Sequence, residues 1–314
     1  MTNKLKIAFF TEGQYYGHVP RTATGRTDLC WISALDAVHC NIFATPTETF
    51  DLGIIIVPKR FDGNLMDVYW HVKRFSNKTA VMQEGNQTIW QDLVINQQFR
   101  YLNLLSSVDI IYCHNEYDQK YFKGLIQGSD VRILPTLALM DSVQRDKLSI
   151  DERSGTMISG TMCEWYSGMD SFIIAQEFGE PTYAPSMGRK KSEEDDIEEL
   201  TFLPYMNWGD WMVKLNKVKY GVNLMRTIAA GSFSLNCAML SIPTVGYNVL
   251  DTQRLCFPET SVDIGDLVSA RKLAKHLRDN KLFYDHVANY ANSMAKDIYG
   301  EEQFFYNFYE PFKI

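Results

Sequence analysis

No stretch of this sequence approaches the ~18 consecutive apolar residues of a membrane-spanning helix. Its opening residues, 1–6, run straight into the strand-like Ile7-Ala8-Phe9-Phe10 with no apolar core of signal-peptide length. The expectation is a soluble, cytoplasmic chain with no membrane partner. The sequons at Asn77 and Asn86 then carry no weight. Cysteine is sparse: Cys30, Cys40, Cys113, Cys163, Cys237 and Cys256 are scattered and form no CxxC pair, as expected of inert thiols in a reducing compartment. No zinc-ligand spacing occurs, and no GxGxxG fingerprint follows the first strand. Positive charge is also in deficit. With 31 Lys and Arg against 38 Asp and Glu, the net charge of −7 argues against binding nucleic acid or membrane through bulk electrostatics, although a local basic groove stays open.

What is present is apolar material in short, regularly spaced runs. Hydrophobic residues make up 46% of the chain and aromatics 13%, enough for more than one core. Lys6–Phe10, Leu52–Val57, Thr79–Gln83, Val108–Tyr112 and Val131–Leu134 are too short for helices and rich enough in Ile, Val, Phe and Tyr for buried strands. Mixed segments with helical spacing, such as Thr27–Val38 and Glu116–Ile126, lie between them. A polar stretch from Met140 to Gly155 then interrupts the pattern. A second series follows, with strands at Thr156–Ser159, Pro181–Ala184, Thr201–Leu203, Tyr220–Leu224 and Thr244–Tyr247, and helices at Met169–Glu177, Trp208–Leu215 and Leu267–Arg278. Strands alternating with helices imply parallel sheets with right-handed crossovers. The expected fold class is therefore α/β, two Rossmann-like domains over residues 1–145 and 146–295. Residues 296–314 form a tail helix that returns to the first domain. In that tail Phe304, Phe308 and Phe312 recur every fourth residue and Phe305 pairs with Tyr309, which reads as a core-packing face. The acidic run Ser192–Glu199 has no opposing ligand cluster and reads as solvated charge.

Residues 220–247 carry most of the functional reading. They describe a strand, a turn of small residues, a helix, and a second strand introduced by Pro243. The turn Ala230-Gly231-Ser232-Phe233-Ser234 leaves backbone N–H groups at a helix start, where Gly231 permits close approach and Ser232 or Ser234 can donate to an anion. A diphosphate would fit there, and an ordinary capped helix has the same pattern. The segment resembles the donor site of GT-B glycosyltransferases, in which such a strand, loop and helix precede small-x-Pro-Val. Met157–Thr161 followed by Ser167–Phe172 resembles the first strand, loop and helix of a GT-B C-terminal domain. Thr201–Met206 resembles the strand and loop beside the nucleotide base, and Asp109–Tyr117 the last strand region of the N-terminal domain.

The resemblance implies a GT-B fold and a nucleotide-sugar donor, a UDP-sugar, held in an interdomain cleft. It requires no cofactor, and no divalent metal is indicated. Two departures stand out. The glutamates of the E-x7-E stretch of retaining enzymes correspond to Ile228 and Asn236, and the Gly-Arg…Lys-Gly clamp on the pyrophosphate corresponds to Gly160-Thr161…Ser167-Gly168. Both cations of the clamp are missing, so another must balance the phosphates. Arg226, at a strand end just before the Gly231 turn, is the first choice, followed by Arg189 and Lys190. Gly160, Thr161, Arg189, Arg226, Gly231, Ser232, Phe233, Ser234 and Asn236 are the expected donor-site residues.

In the first half, the loop after the first strand carries Gln14, His18, Arg21, Arg26 and Asp28, candidates for the acceptor at the C-terminal rim of a sheet. Asp28 reads equally as a helix cap. Glu84 follows the strand Thr79–Gln83 and precedes Gly85, which suits a general base for an acceptor hydroxyl and equally a loop carboxylate bonded to nearby backbone amides; His114 is the alternative base, or a packed or solvated histidine. The stretch Gly17–Arg21 with Arg26–Trp31 is similar to bacteriophage glycosyltransferases that modify 5-hydroxymethylcytosine in DNA. That likeness implies DNA as acceptor, a flipped base, the host cytoplasm, and local cations such as Lys59, Arg60, Lys73 and Arg74. A saccharide-acceptor transferase, a nucleotide-sugar 2-epimerase and a non-catalytic nucleotide-sugar binder remain as alternatives.

Overall fold

The structure, a computed structural model, describes residues 5–12, 16–21, 27–57, 63–83, 85–142, 148–188 and 190–312. It divides into two compact units: Met1–Leu137 with Phe304–Ile314, and Ala138–Gln303.

The first unit runs β1 (Ile7–Thr11), β2 (Gly17–His18), α1 (Thr27–Ala34), β3 (Val38–Asn41), β4 (Phe50–Val57), α2 (Leu65–Lys73), β5 (Ser76–Gln83), α3 (Ile95–Ser107), β6 (Ile110–Cys113), α4 (Glu116–Leu125) and β7 (Val131–Ile133). Its seven strands lie in the order β2-β3-β1-β4-β5-β6-β7, all parallel except the short edge pairing of β2 on β3. Ile54, Ile55 and Ile56 of β4 and Ala80, Val81 and Met82 of β5 are almost wholly buried, as expected for central parallel strands covered on both faces. Sequence spacing carried α1 through to Val38. The helix instead ends at Ala34, Asp36 adopts a left-handed φ of 51°, and Val38 starts β3.

The second unit runs β8 (Thr156–Ile158), α5 (Gly168–Ala175), β9 (Thr182–Ala184), β10 (Leu200–Phe202), α6 (Trp208–Asn216), β11 (Tyr220–Asn223), α7 (Ser232–Met239), β12 (Thr244–Tyr247), α8 (Asp251–Cys256), β13 (Ser261–Val262), α9 (Leu267–Asp279) and α10 (Lys281–Tyr299). Its six parallel strands lie in the order β10-β9-β8-β11-β12-β13. Helix α10 places Ala288, Ala291 and Ala295 in the core, where small side chains let it pack closely on α7 and α8.

The C-terminal end of α7 is unusually well held. Asn292 Nδ2 donates to Ala238 O and Met239 O at 3.0 and 2.9 Å. The buried Arg153 donates to Leu240 O, Ser241 O and Asn216 Oδ1 at 2.7, 3.0 and 3.0 Å. These side chains satisfy carbonyls that a helix end leaves without partners.

Helix α11 (Glu301–Tyr309) carries the chain into the first unit. Phe304 and Phe308 are buried and stacked on each other, and Phe308 also stacks on Tyr112 of β6 at 6.1 Å. Phe312 takes the guanidinium of Arg132 over its ring at 4.8 Å. The four-residue aromatic spacing thus supplies core contacts for this unit. Phe308→Leu is expected to cost about 1–2 kcal/mol, measured as a loss of stability to urea, because the stacked ring and its volume both go.

All six cysteines are free, and five are buried. Burial pushes the thiols of Cys40, Cys113, Cys237 and Cys256 up to about 12, which keeps them protonated and inert at neutral pH. Among the described residues, no helix is long and apolar enough to cross a membrane.

Candidate functional site

In parallel sheets a ligand crevice forms where the strand order reverses, outside the C-terminal ends of the two strands at the reversal. In the second unit those strands are β8 and β11. Ser159 continues the pairing by donating its N–H to Val222 O at 3.0 Å. The loop that follows is tightly packed. A Cβ on Gly160 would lie 2.5 Å from the ring of Tyr166, and one on Gly168 would lie 2.2 Å from Thr161 O. Thr161 is fully buried and its hydroxyl donates to Cys163 Sγ at 3.4 Å. Ser167, which caps α5, holds a left-handed conformation at φ 48°, a strained choice for a residue with a side chain.

The acidic run corrects the expectation of uniform solvation. Glu194 is 4% exposed, and its carboxylate accepts the N–H groups of Met162 and Lys191, both at 3.0 Å. It therefore anchors the loop after β8, while its neighbours Glu193, Asp195 and Asp196 face solvent.

At the end of β11, Leu224 N–H donates to the buried Ser171 Oγ of α5 at 3.1 Å. Arg226 follows, its side chain about half exposed. It donates through Nη2 to Asp170 Oδ2 at 2.7 Å, and Tyr247 OH donates to the same oxygen at 3.1 Å. The bond to Asp170 raises the Arg226 pKa further above its ordinary value, so the side chain stays cationic.

The turn before α7 needs glycine for two reasons. Gly231 has φ 72°, and a Cβ there would lie 2.0 Å from Thr252 Oγ1, which donates to Gly231 O at 2.9 Å. The close approach is thus to α8 as well as toward any ligand. Ser232, Phe233 and Ser234 form the first turn of α7, the end of a helix at which backbone N–H groups point outward along the axis. Ser232 and Asn236 are half-buried one turn apart, and Phe233 lies 6.5 Å from Trp211. The Ser234 hydroxyl departs from expectation. It is fully buried, accepts from Asn223 Nδ2 at 2.7 Å and donates to Gln253 Oε1 at 2.8 Å, so its one proton points into the core. Ser234 can offer an anion only its backbone N–H.

Of the remaining cations, Lys190 is committed to Asp195 and to the ring of Phe202 at 4.7 Å, while Arg189 lies outside the described residues.

In the first unit, Gln14, Arg26 and Glu84 lie outside the described residues, as do Lys59 and Arg60. Gln83 closes β5, with its side-chain amide donating to Asn86 O at 2.6 Å, and Gly85 has φ 94°. His114 is buried and stacked on Trp31 at 5.7 Å, an environment that suits packing better than proton transfer to a ligand. His18 sits on the edge strand β2, exposed and paired with Asp36 at 3.2 Å. Arg21 is exposed, whereas Asp28 is buried in the first turn of α1, in keeping with its reading as a helix-start residue. Lys73 and Arg74 contradict their assignment. They end α2, which leads into the start of β5, and Lys73 pairs at 3.5 Å with Asp109, which precedes β6. That is the N-terminal edge of the sheet, opposite the rim where a ligand would sit.

Sequence reasoning missed Asp170, Tyr247 and Glu194. Asp170 looks like a first-turn helix acid, and nothing local ties it to Arg226, 56 residues away. A further buried pair, Thr11 Oγ1 with His39 Nε2 at 2.6 Å, ties the end of β1 to β3. Among the described residues, no group of three or more His, Cys, Asp or Glu is arranged to hold a metal ion.

The chain has the GT-B fold: two Rossmann-like α/β units, each built on a largely parallel sheet. Solved structures of similar fold make this specific. HepE from Anabaena, solved with UDP-glucose, matches at a TM-score of 0.71 over 98% of this chain and 99% of that one, at 9% identity. An alpha-glucosyltransferase in complex with UDP matches at a TM-score of 0.67 over 98% of both chains, at 12% identity, and an alpha-glucosyltransferase solved with UDP and a 13-mer DNA containing an HMU base matches at 0.66 with the same coverage and identity. Sucrose-phosphate synthase from Thermosynechococcus elongatus matches at 0.64 over 84% of this chain and 73% of that one, at 11% identity. No protein-family model and no curated protein matches the chain.

Proposed function

We propose that this chain is a glycosyltransferase that moves a hexosyl or pentosyl group from a UDP-sugar to an acceptor hydroxyl. The observation that carries the reading is the half-exposed, anchored Arg226 at the reversal point of the second sheet, on a fold shared with UDP-bound transferases. UDP leaves with growing negative charge. Backbone N–H groups of the first turn of α7 and the guanidinium of Arg226 stabilise that charge without reorganising. Glu84 takes the proton of the attacking hydroxyl.

For the acceptor, the best reading is 5-hydroxymethylcytosine in DNA, which would place the enzyme in the cytoplasm of a phage-infected host. Support comes from the likeness to the alpha-glucosyltransferase, which spans nearly all of both chains. Lys73 and Arg74 take no part in this scheme, so the DNA backbone would be met by other residues.

The test has two stages. UDP at about 100 times its dissociation constant should stabilise the protein by ~2.7 kcal/mol, read as a thermal shift. Arg226→Ala should weaken UDP by about 1.5–3 kcal/mol, the worth of a charge-assisted hydrogen bond. An unchanged shift in that variant would remove Arg226 from the site. With UDP-glucose, UDP should be released only when hydroxymethylated DNA is added. Release with oligosaccharides instead would transfer the reading to a saccharide acceptor, and binding without turnover would favour a nucleotide-sugar binder.

A further inference from the structure

The geometry points to Asp170 as a positioning residue that holds Arg226 in place for the diphosphate. This role rests on the donor-site reading above. Asp170 is not a casual surface partner. Its Oδ2 receives Arg226 Nη2 at 2.7 Å and the hydroxyl of Tyr247, a fully buried residue, at 3.1 Å. Its helix is fastened to the strand that delivers Arg226 by the Leu224 N–H bond to Ser171 Oγ at 3.1 Å. The carboxylate is thus located by α5, β11 and β12 together and is largely shielded, with its side chain 19% exposed.

An unrestrained arginine loses considerable rotamer freedom when it grips a ligand, and a fixed partner removes that cost in advance. Asp170 takes one of the five guanidinium N–H groups and Tyr247 also bonds the side chain, which leaves further N–H groups for phosphate oxygens. The placement also answers the missing clamp. Arg226 brings its charge from the end of β11 to Asp170 in the first turn of α5, the helix whose cap residue Ser167 stands where the resemblance expects lysine.

The prediction separates geometry from charge, because a carboxylate near a diphosphate is by itself repulsive. UDP affinity of the full chain would be measured by titration calorimetry. Asp170→Ala is expected to weaken UDP about tenfold. Asp170→Asn keeps the acceptor in place without its charge and should bind UDP within about threefold of the unaltered protein, or more tightly. Asp170→Glu keeps the charge but displaces it by one methylene and should lose several-fold. The double variant with Arg226→Ala should bind no more weakly than Arg226→Ala alone, the signature of one residue acting through another. The Asn and Glu variants carry the test if the alanine variant does not fold. Full additivity, an alanine variant that binds as well as the original, or an Asn variant as weak as alanine would each overturn the role while leaving an Arg226→Ala loss, and the donor site, intact. Absence of UDP binding by the unaltered chain would instead remove the donor site itself.

Discussion

Glu84→Gln is expected to lower turnover by about 10²–10⁴-fold, the usual contribution of a general base, while leaving UDP affinity unchanged. The substitution keeps size and hydrogen-bonding capacity but removes the ability to accept a proton. UDP release from UDP-glucose, with hydroxymethylated DNA as acceptor, gives the rate, and calorimetry gives the affinity. The two readouts must separate, because the proposed roles lie in different halves of the chain: proton transfer after β5, diphosphate binding at β11 and α7. A variant that keeps more than a tenth of the rate would take Glu84 out of the chemistry. His114 is the rival base. Its burial against Trp31 makes a His114→Gln variant a test of packing, with lowered stability as its main outcome.

Much of the fold was legible because buried parallel strands write themselves as short Ile, Val and Phe runs. The runs at Leu52–Val57, Thr79–Gln83 and Thr244–Tyr247 fall within or on β4, β5 and β12. Where the signal was weaker the reading failed for identifiable reasons. β3 is Val-His-Cys-Asn, with a buried histidine bonded to Thr11, and its polar composition hid a strand that begins where the apparent helix ended. Helix α10, 19 residues long, buries mainly alanine and tyrosine, so its apolar stripe is too faint to stand out.

The candidate site divides along the same line. The Gly231 turn and Arg226 announce themselves locally, by a small-residue turn and a cation at a strand end. What they touch is tertiary. Whether Ser234 faces ligand or core depends on Asn223 and Gln253, and whether Glu194 is solvated depends on Met162. None of these three partners lies close enough in sequence for a pattern to reveal it. The missing clamp cations were legible as an absence, but the tie from Arg226 to α5 that answers it was not.

Arg153→Ala should be the most damaging single change in the second unit, at about 3–5 kcal/mol. It leaves three oxygens, of Leu240, Ser241 and Asn216, without the charged donor that satisfies them, two of those bonds being buried. Set against the 5–15 kcal/mol by which domains are typically stable, this would lower the melting temperature by on the order of 10 °C. Arg153→Lys should recover only part of the loss, because a point ammonium cannot reach in two directions as a planar guanidinium does. The damage should fall on stability and spare affinity. The ligand end of α7 is held separately, by Thr252 on Gly231 O and by Ser234 between Asn223 and Gln253. Below its melting transition, Arg153→Ala is therefore expected to bind UDP within about threefold of the original protein, a difference under 1 kcal/mol. A folded Arg153→Ala protein that binds UDP more than about tenfold more weakly would mean that α7 moves as one rigid rod, and that its far end sets the geometry of the diphosphate turn.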